Sequence, residues 1–258
     1  MTSRTGRWRT CGLVAAALIV WAAAALGEVR SGRDYLTPAL QALQDDELRH
    51  PGMLWVEAGA ELWRRDPAPG QPACEACHGA DAASMRGVAT RYPAVGAAGG
   101  LLNLELRIEQ CRTERQNAPA FGYESADLLS LSTFVAHQSR GLPMTVRTDG
   151  PAKPFLEAGQ KFYFQRQGQM NLSCAQCHDD NAGRRLRGDV ISSGVGTGYP
   201  AYRLEWNSVG SLHRRLRACS LGVRATQFDS GSPEYLNLEL YLAARAQGLP
   251  VETPAIRR

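Results

Sequence analysis

Residues 74–78 read Cys-Glu-Ala-Cys-His and residues 174–178 read Cys-Ala-Gln-Cys-His. Two thiols three positions apart can add to the two vinyl groups of one haem while the adjacent histidine binds the iron, so each pentapeptide is a covalent haem-attachment signal. A Cys-x-x-Cys pair can also be a zinc half-site or a redox disulfide. Two copies in repeat register, each with histidine at the next position, favour haem over both. The pattern predicts two covalently bound haem c groups, attached through Cys74 and Cys77 and through Cys174 and Cys177, with His78 and His178 as proximal iron ligands.

The sequence around these motifs is duplicated. Glu57-Ala58-Gly59 recurs as Glu157-Ala158-Gly159, at the separation of 100 residues that also relates Cys74 to Cys174. Tyr92-Pro93 recurs as Tyr199-Pro200 and Gly141-Leu142-Pro143 as Gly248-Leu249-Pro250, both at a separation of 107, so the second unit has the longer haem loop. Each unit opens with apolar residues at helical spacing: Trp55, Gly59, Leu62 and Trp63, then Phe155, Gly159, Phe162 and Tyr163. Each closes with a second helix, Leu128, Leu131, Phe134 and Val135 matching Tyr235, Leu238, Tyr241 and Leu242, stopped by Gly141 or Gly248 with proline two residues later. No β pattern is apparent between them. The reading is an all-α chain, a tandem duplication of two units over residues 28–150 and 151–258, linked near Thr148–Pro154. Two terminal helices bracketing a Cys-x-x-Cys-His loop resemble the class I cytochrome c domain, in which those helices cross and the haem replaces much of an apolar core.

Arg4, Arg7 and Arg9 precede an uncharged run from Cys11 to Gly27 that ends in small residues, the outline of a secretory signal peptide over residues 1–27. Cleavage after Gly27 would release an exported chain with no membrane contact; an uncleaved anchor is the alternative, and Cys11 is given no role. The three arginines carry most of the net charge of +4, leaving the mature chain near +1. With haem propionates added there is no basic field for nucleic acid. Lys153 and Lys161 are the only lysines, which makes lysine an improbable iron ligand.

Downstream of His178 there is no methionine and no lysine, so His213 and Cys219 are the strong ligand side chains where such a fold places its distal ligand. Cys219 has a counterpart in Cys111, with arginine four residues before each (Arg215, Arg107) and an aliphatic residue three before each (Leu216, Ile108). His213 has no histidine counterpart. His/Cys ligation at both irons is the resulting expectation, with Cys111 and Cys219 as distal ligands. A Cys111–Cys219 disulfide, Met144, His137 or Met85 at the first haem, and His213 at the second remain open. Thiolate ligation lowers a haem potential and suits a general electron carrier poorly, whereas a deprotonated sulfur held on iron is a candidate nucleophile or persulfide carrier.

The paired motifs, the cysteines in Arg-Ile-Glu-Gln-Cys (107–111) and Arg-Leu-Arg-Ala-Cys (215–219) contexts, and the Gly-Leu-Pro helix ends resemble the SoxA family, the dihaem catalytic subunits of SoxAX cytochromes from thiosulfate-oxidising bacteria. The resemblance covers essentially the whole mature chain. It implies a periplasmic heterodimer with the monohaem subunit SoxX and L-cysteine S-thiosulfotransferase activity on the carrier protein SoxYZ. Thiosulfate is joined oxidatively to a carrier cysteine, and two electrons leave through the haems. Cys219 would be the active-site ligand, carried as a persulfide, with Arg215 and Arg245 as active-site arginines. Guanidinium suits a small dianion, and in a helix Arg215 shares the face of Cys219. Arg107 occupies the place of Arg215 in the first unit, so haem packing is the competing role; Arg245 replaces Gln138, with an exposed helix face as its competing role. Trp206 and Gly194–Gly198, in the longer loop, are candidates to shape the mouth of the site.

Two other functions fit parts of the pattern. A tetrathionate-forming thiosulfate dehydrogenase would need a second haem of higher potential with Met or Lys available. A dihaem electron shuttle predicts methionine at both distal sites and no duplicated cysteine.

Overall fold

The computed structural model describes residues 28–258; the signal-peptide expectation and Cys11 lie outside them. In the first unit α2 (Met53–Arg64), α3 (Cys74–His78), α4 (Leu104–Glu114) and α5 (Ala126–His137) follow the short α1 (Pro38–Asp45). In the second, α6 (Lys153–Phe164), α7 (Cys174–His178), α8 (Leu212–Gly222) and α9 (Pro233–Arg245) repeat the order.

The opening and closing helices of each unit cross at a glycine. A methyl group at Gly59 would run into the carbonyl of Ser130 on α5, and one at Gly159 into the carbonyl of Asn237 on α9. The repeated Glu-Ala-Gly is thus a backbone-to-backbone contact that any side chain would separate. Trp63, Leu131, Phe134 and Val135 fill the first crossing; Tyr163, Leu238 and Leu242 fill the second. Side-chain caps fix the later helix starts in equivalent pairs: Asn103 and Ser211 accept from the backbone of α4 and α8, and Ser125 and Ser232 from that of α5 and α9. Gly141 and Gly248, both in the left-handed region, turn the chain after the closing helices.

The repeated Gly-Leu-Pro segments then pair with each other. Gly141 N donates to Val251 O and Gly248 N to Met144 O, at 2.9 and 3.1 Å. Met144 N donates to Leu249 O and Val251 N to Leu142 O, both at 2.9 Å. The ladder has two-fold symmetry, and beneath it Leu101, Met144 and Val146 of the first unit share one buried cluster with Leu236, Leu240, Ala243 and Val251 of the second.

The fold is mostly helical, as expected, with a few short strands added to it. β1 (Ala94–Val95) pairs antiparallel with β2 (Leu101–Leu102), and β3 (Arg185–Leu186) with β4 (Asp189–Val190). β5 (Ala201–Arg203) lies between antiparallel β6 (Ser208–Gly210) and parallel β7 (Ala255–Arg257). These strands are two or three residues long, too short for an alternating pattern to register. The segment before α2 also runs along the second unit rather than the first: Gln44 Oε1 accepts from Ile256 N at 3.0 Å, His50 Nε2 lies 3.0 Å from Pro254 O, and Tyr35 Oη meets Ser193 Oγ at 2.6 Å.

Candidate active site

In the second unit, Ser173 and Gln176 form a reciprocal capping box that starts α7 at Cys174, so the attachment motif is one turn of helix presenting both thiols and the His178 ring. His178 Nδ1 donates to Ser192 O at 2.8 Å, which directs Nε2 away from the backbone and toward a metal. Gly194, at φ +70°, lies against that ring, where a β-carbon would come within 2.7 Å of Cγ. Of the three glycines in the Gly194–Gly198 stretch, Gly194 is the one set against His178. Gly196 and Thr197 instead line a cavity of about 60 Å³ between the units, a correction to the expectation that the whole stretch shapes the mouth.

Cys219, on α8, faces His178 and acts on Cys174 and Cys177 as well. Burial pushes its thiol up, but the facing His178 and the charges of Arg215 and Arg203 outweigh burial, so the net shift is down. Burial, then the neighbouring Cys219, pushes Cys174 up to about 12. Arg215 is half-buried, its side chain 35% exposed, with Nη1 3.9 Å from Glu205 Oε1. Arg107, its counterpart, is exposed and bonds to Gln110 at 2.8 Å. The two arginines thus differ in exposure, while each lies within charge range of the tyrosine of its own unit's Tyr-Pro pair, Tyr199 and Tyr92.

Arg203 escaped the sequence reading. It is buried on β5, bonded to Glu205 at 2.9 Å and lying 5.0 Å from the centroid of Trp206, whose ring also carries Arg214 at 4.2 Å. Its distance in sequence from Cys219 is bridged by the β5–β6 turn, and isolated arginines give no signal of such a fold-back. Trp206 therefore holds two guanidiniums close to the sulfur-bearing helix.

Arg245, the second arginine expected in the site, sits on the last turn of α9. Its Nη2 lies 2.6 Å from Asp179 Oδ1 and 3.4 Å from Ser193 O, with the guanidinium 4.4 Å from the Tyr163 ring centroid. Asp179 follows His178 and Ser193 follows Ser192, so Arg245 belongs to the His178 side of the site. The largest charges acting on Cys219 are those of Arg215, His178 and Arg203, while Arg245 acts on Cys174, which Cys219 also neighbours.

In the first unit, Cys111 on α4 acts on Cys74 and Tyr92, while Trp63 packs 5.7 Å from the His78 ring and donates to Gly79 O at 2.9 Å. The six cysteines of the described residues are free, with Cys111 and Cys219 in separate units, so the alternative of a disulfide between them is not realised. Met144 is buried between the units, and His137 faces Glu47 at 3.5 Å. Met85 is the repeat counterpart of Ser192, on the proximal side. His213 is turned toward other partners: Nδ1 accepts from Gly231 N at 2.9 Å, and Nε2 lies 2.9 Å from Glu239 Oε2 without hydrogen-bond geometry. Its counterpart in the repeat is Glu105.

Among the described residues no three His, Cys, Asp or Glu side chains converge to hold a bare metal ion, as a zinc site would require. A haem supplies four of its iron's ligands itself and asks the protein for two. A thiol helix facing a histidine that follows two thiols fits that demand.

The site defines a tandem c-type cytochrome with a cysteine, Cys219, in an electropositive setting. The family described as SoxA/TsdA, cytochrome c domain, matches residues 58–144 and 158–251. A protein named L-cysteine S-thiosulfotransferase subunit SoxA from Rhodovulum sulfidophilum is 39% identical over 231 residues, covering 89% of this chain and 80% of that one. The protein of the same name from Pseudaminobacter salicylatoxidans is 37% identical, covering 83% and 75%. A solved structure, SoxXA from P. pantotrophus, superposes with a TM-score of 0.86 at 34% identity, covering 89% of this chain and 87% of that one. The chain belongs to the SoxA/TsdA cytochrome c family, whose members carry covalent haem c.

Proposed function

We propose that this chain is the SoxA-type subunit of an L-cysteine S-thiosulfotransferase. It works in the periplasm after loss of residues 1–27, binds two haem c groups, pairs with a SoxX-like monohaem cytochrome and acts on a SoxYZ-like carrier. No helix among the described residues is long and apolar enough to cross a membrane. The observation that carries the reading is the convergence of Cys219, His178, Arg215 and Arg203 in one unit, with Arg107 turned outward in the other.

The overall change is balanced as a carrier thiol plus thiosulfate giving carrier S–S–SO3⁻, one proton and two electrons. An S–S bond forms and the two sulfurs that join are oxidised. Arg215 and Arg203 hold the thiosulfate dianion at the sulfur of Cys219, and their fixed charges offset the repulsion between an anionic sulfur and an anionic substrate. Ser192 holds the His178 ring in one tautomer. Covalent haem, when bound, provides one-electron acceptance and an exit to the partner cytochrome.

The test incubates the purified complex with thiosulfate and reduced carrier. Mass spectrometry should show S2O3 added to the carrier cysteine, with reduction of the haems. Tetrathionate formation without carrier, at a rate exceeding conjugation, would favour the dehydrogenase reading instead.

A further inference from the structure

The second unit exceeds the first by seven residues between its attachment histidine and its Tyr-Pro pair. The structure spends that excess on one feature, the hairpin of β3 and β4, which turns at Arg187-Gly188 with Arg187 at φ +56°. Residues 183–188 are exposed, and Leu186 at the tip is 61% exposed. Among the described residues none of Arg184, Arg185 and Arg187 forms an ion pair; the hairpin's acid, Asp189, is engaged by Arg258 at 3.3 Å. Three unpaired guanidiniums within four residues stand out on a mature chain whose net charge is near +1.

The hairpin is rooted in the site. Gly183 N donates to Ile191 O at 2.8 Å and Ile191 N to Arg184 O at 2.9 Å, and the next carbonyl, Ser192, receives His178. The charge of Asp189 also acts on Arg215. The first unit, whose Arg107 faces solvent, has no such hairpin.

We propose that residues 184–190 form a docking hairpin for an acidic surface of the carrier protein whose cysteine enters the Cys219 site. This rests on the reading of the chain as a carrier-modifying enzyme. A carrier must arrive, react and leave, which calls for long-range steering by charge and little buried apolar area. A permanent subunit interface is larger and more apolar than three arginines around one leucine.

The test uses the complex with its small cytochrome subunit and purified SoxYZ-type carrier, comparing wild type with the triple variant Arg184→Gln, Arg185→Gln, Arg187→Gln across ionic strength. Wild-type kcat/KM for carrier should fall steeply with salt. The variant should start about tenfold lower at low salt, lose most of the salt dependence, and keep kcat at saturating carrier, haem content and bound small cytochrome. Leu186→Ser should raise KM for carrier alone. Equal kcat/KM and equal salt dependence in variant and wild type would overturn the docking role while conjugation by wild type left the enzyme reading standing. Release of the small cytochrome from the variant would also overturn it, by assigning the hairpin to the subunit interface. A flat wild-type salt profile would do so without any variant, and wild type that never conjugates the carrier would remove the enzyme reading and the hairpin's role together.

Discussion

Glu105 and His213 occupy the same place in the two units, each six residues ahead of its helix cysteine, and the fold brings them within reach of each other's charge at the domain interface. Glu239 lies between them in charge terms, 2.9 Å from His213, with Tyr123, Asn103 and Glu124 completing the surroundings.

This cluster predicts a pH-dependent stability. Burial, then Glu239, raises Glu105 to about 7; burial lowers His213, but Glu239 and Glu105 outweigh it and the net shift is upward. Both groups hold their proton more tightly folded than unfolded. Their contribution is full below the unfolded values of about 4.3 and 6.5 and is lost as pH rises through the higher folded ones. Thermal denaturation should show stability falling from about pH 5 to 8, by an amount on the order of 1 to 3 kcal/mol. Glu105→Gln should flatten that slope, and an unchanged slope would remove Glu105 from the account.

The pairing of Arg245 with Asp179 predicts a structural cost rather than a substrate effect. Arg245→Gln leaves a partly buried carboxylate without its charged partner and should destabilise the fold by about 1.5 to 3 kcal/mol. Asp179→Asn in the same chain should restore part of the loss, because both charges are then gone. KM for thiosulfate should not move, and a rise in KM without loss of stability would return Arg245 to the substrate site.

Arg215 should behave differently from Arg107. Arg215→Gln removes a charge-assisted contact to a dianion and should lower kcat/KM for thiosulfate about ten- to hundredfold. Arg107→Gln, on an exposed face, should leave it unchanged. Comparable losses from both variants would point to haem packing.

At Cys219 the chemistry itself is accessible to mass spectrometry. A sulfane sulfur should add about 32 Da to the Cys219 peptide and be removed by cyanide, while the Cys111 peptide carries none. Cys219→Met gives iron a competent ligand without the reactive sulfur, so haem should be retained and conjugation should stop. Sustained conjugation by that variant would reduce the cysteine to a ligand.

The attachment motifs, the duplication and the crossing helices were legible because each is local: a five-residue pattern, a constant offset, a 3.6-residue period. The repeat pairs Cys111 with Cys219, and in the fold the one lies within charge range of Cys74 and the other of Cys174. What stayed hidden depends on chain reversals. Arg203 reaches Cys219 only because β5 and β6 fold back, and Asp179 claims Arg245 across 66 positions. The path of residues 32–50 along the second unit is fixed by Gln44 and His50, two polar side chains that no motif or period marks and that the fold buries.

The ladder that joins Gly141 to Val251 and Gly248 to Met144 has a consequence for ancestry. Each unit presents to its sister the same donors and acceptors that the sister presents in return. A single unit standing alone would therefore offer this edge to a second copy of itself, and the natural assembly of a one-motif forerunner is a homodimer. Within one chain the two halves need not match elsewhere: Glu105 of one stands at the place of His213 in the other, and the β3–β4 hairpin is present on the second half alone.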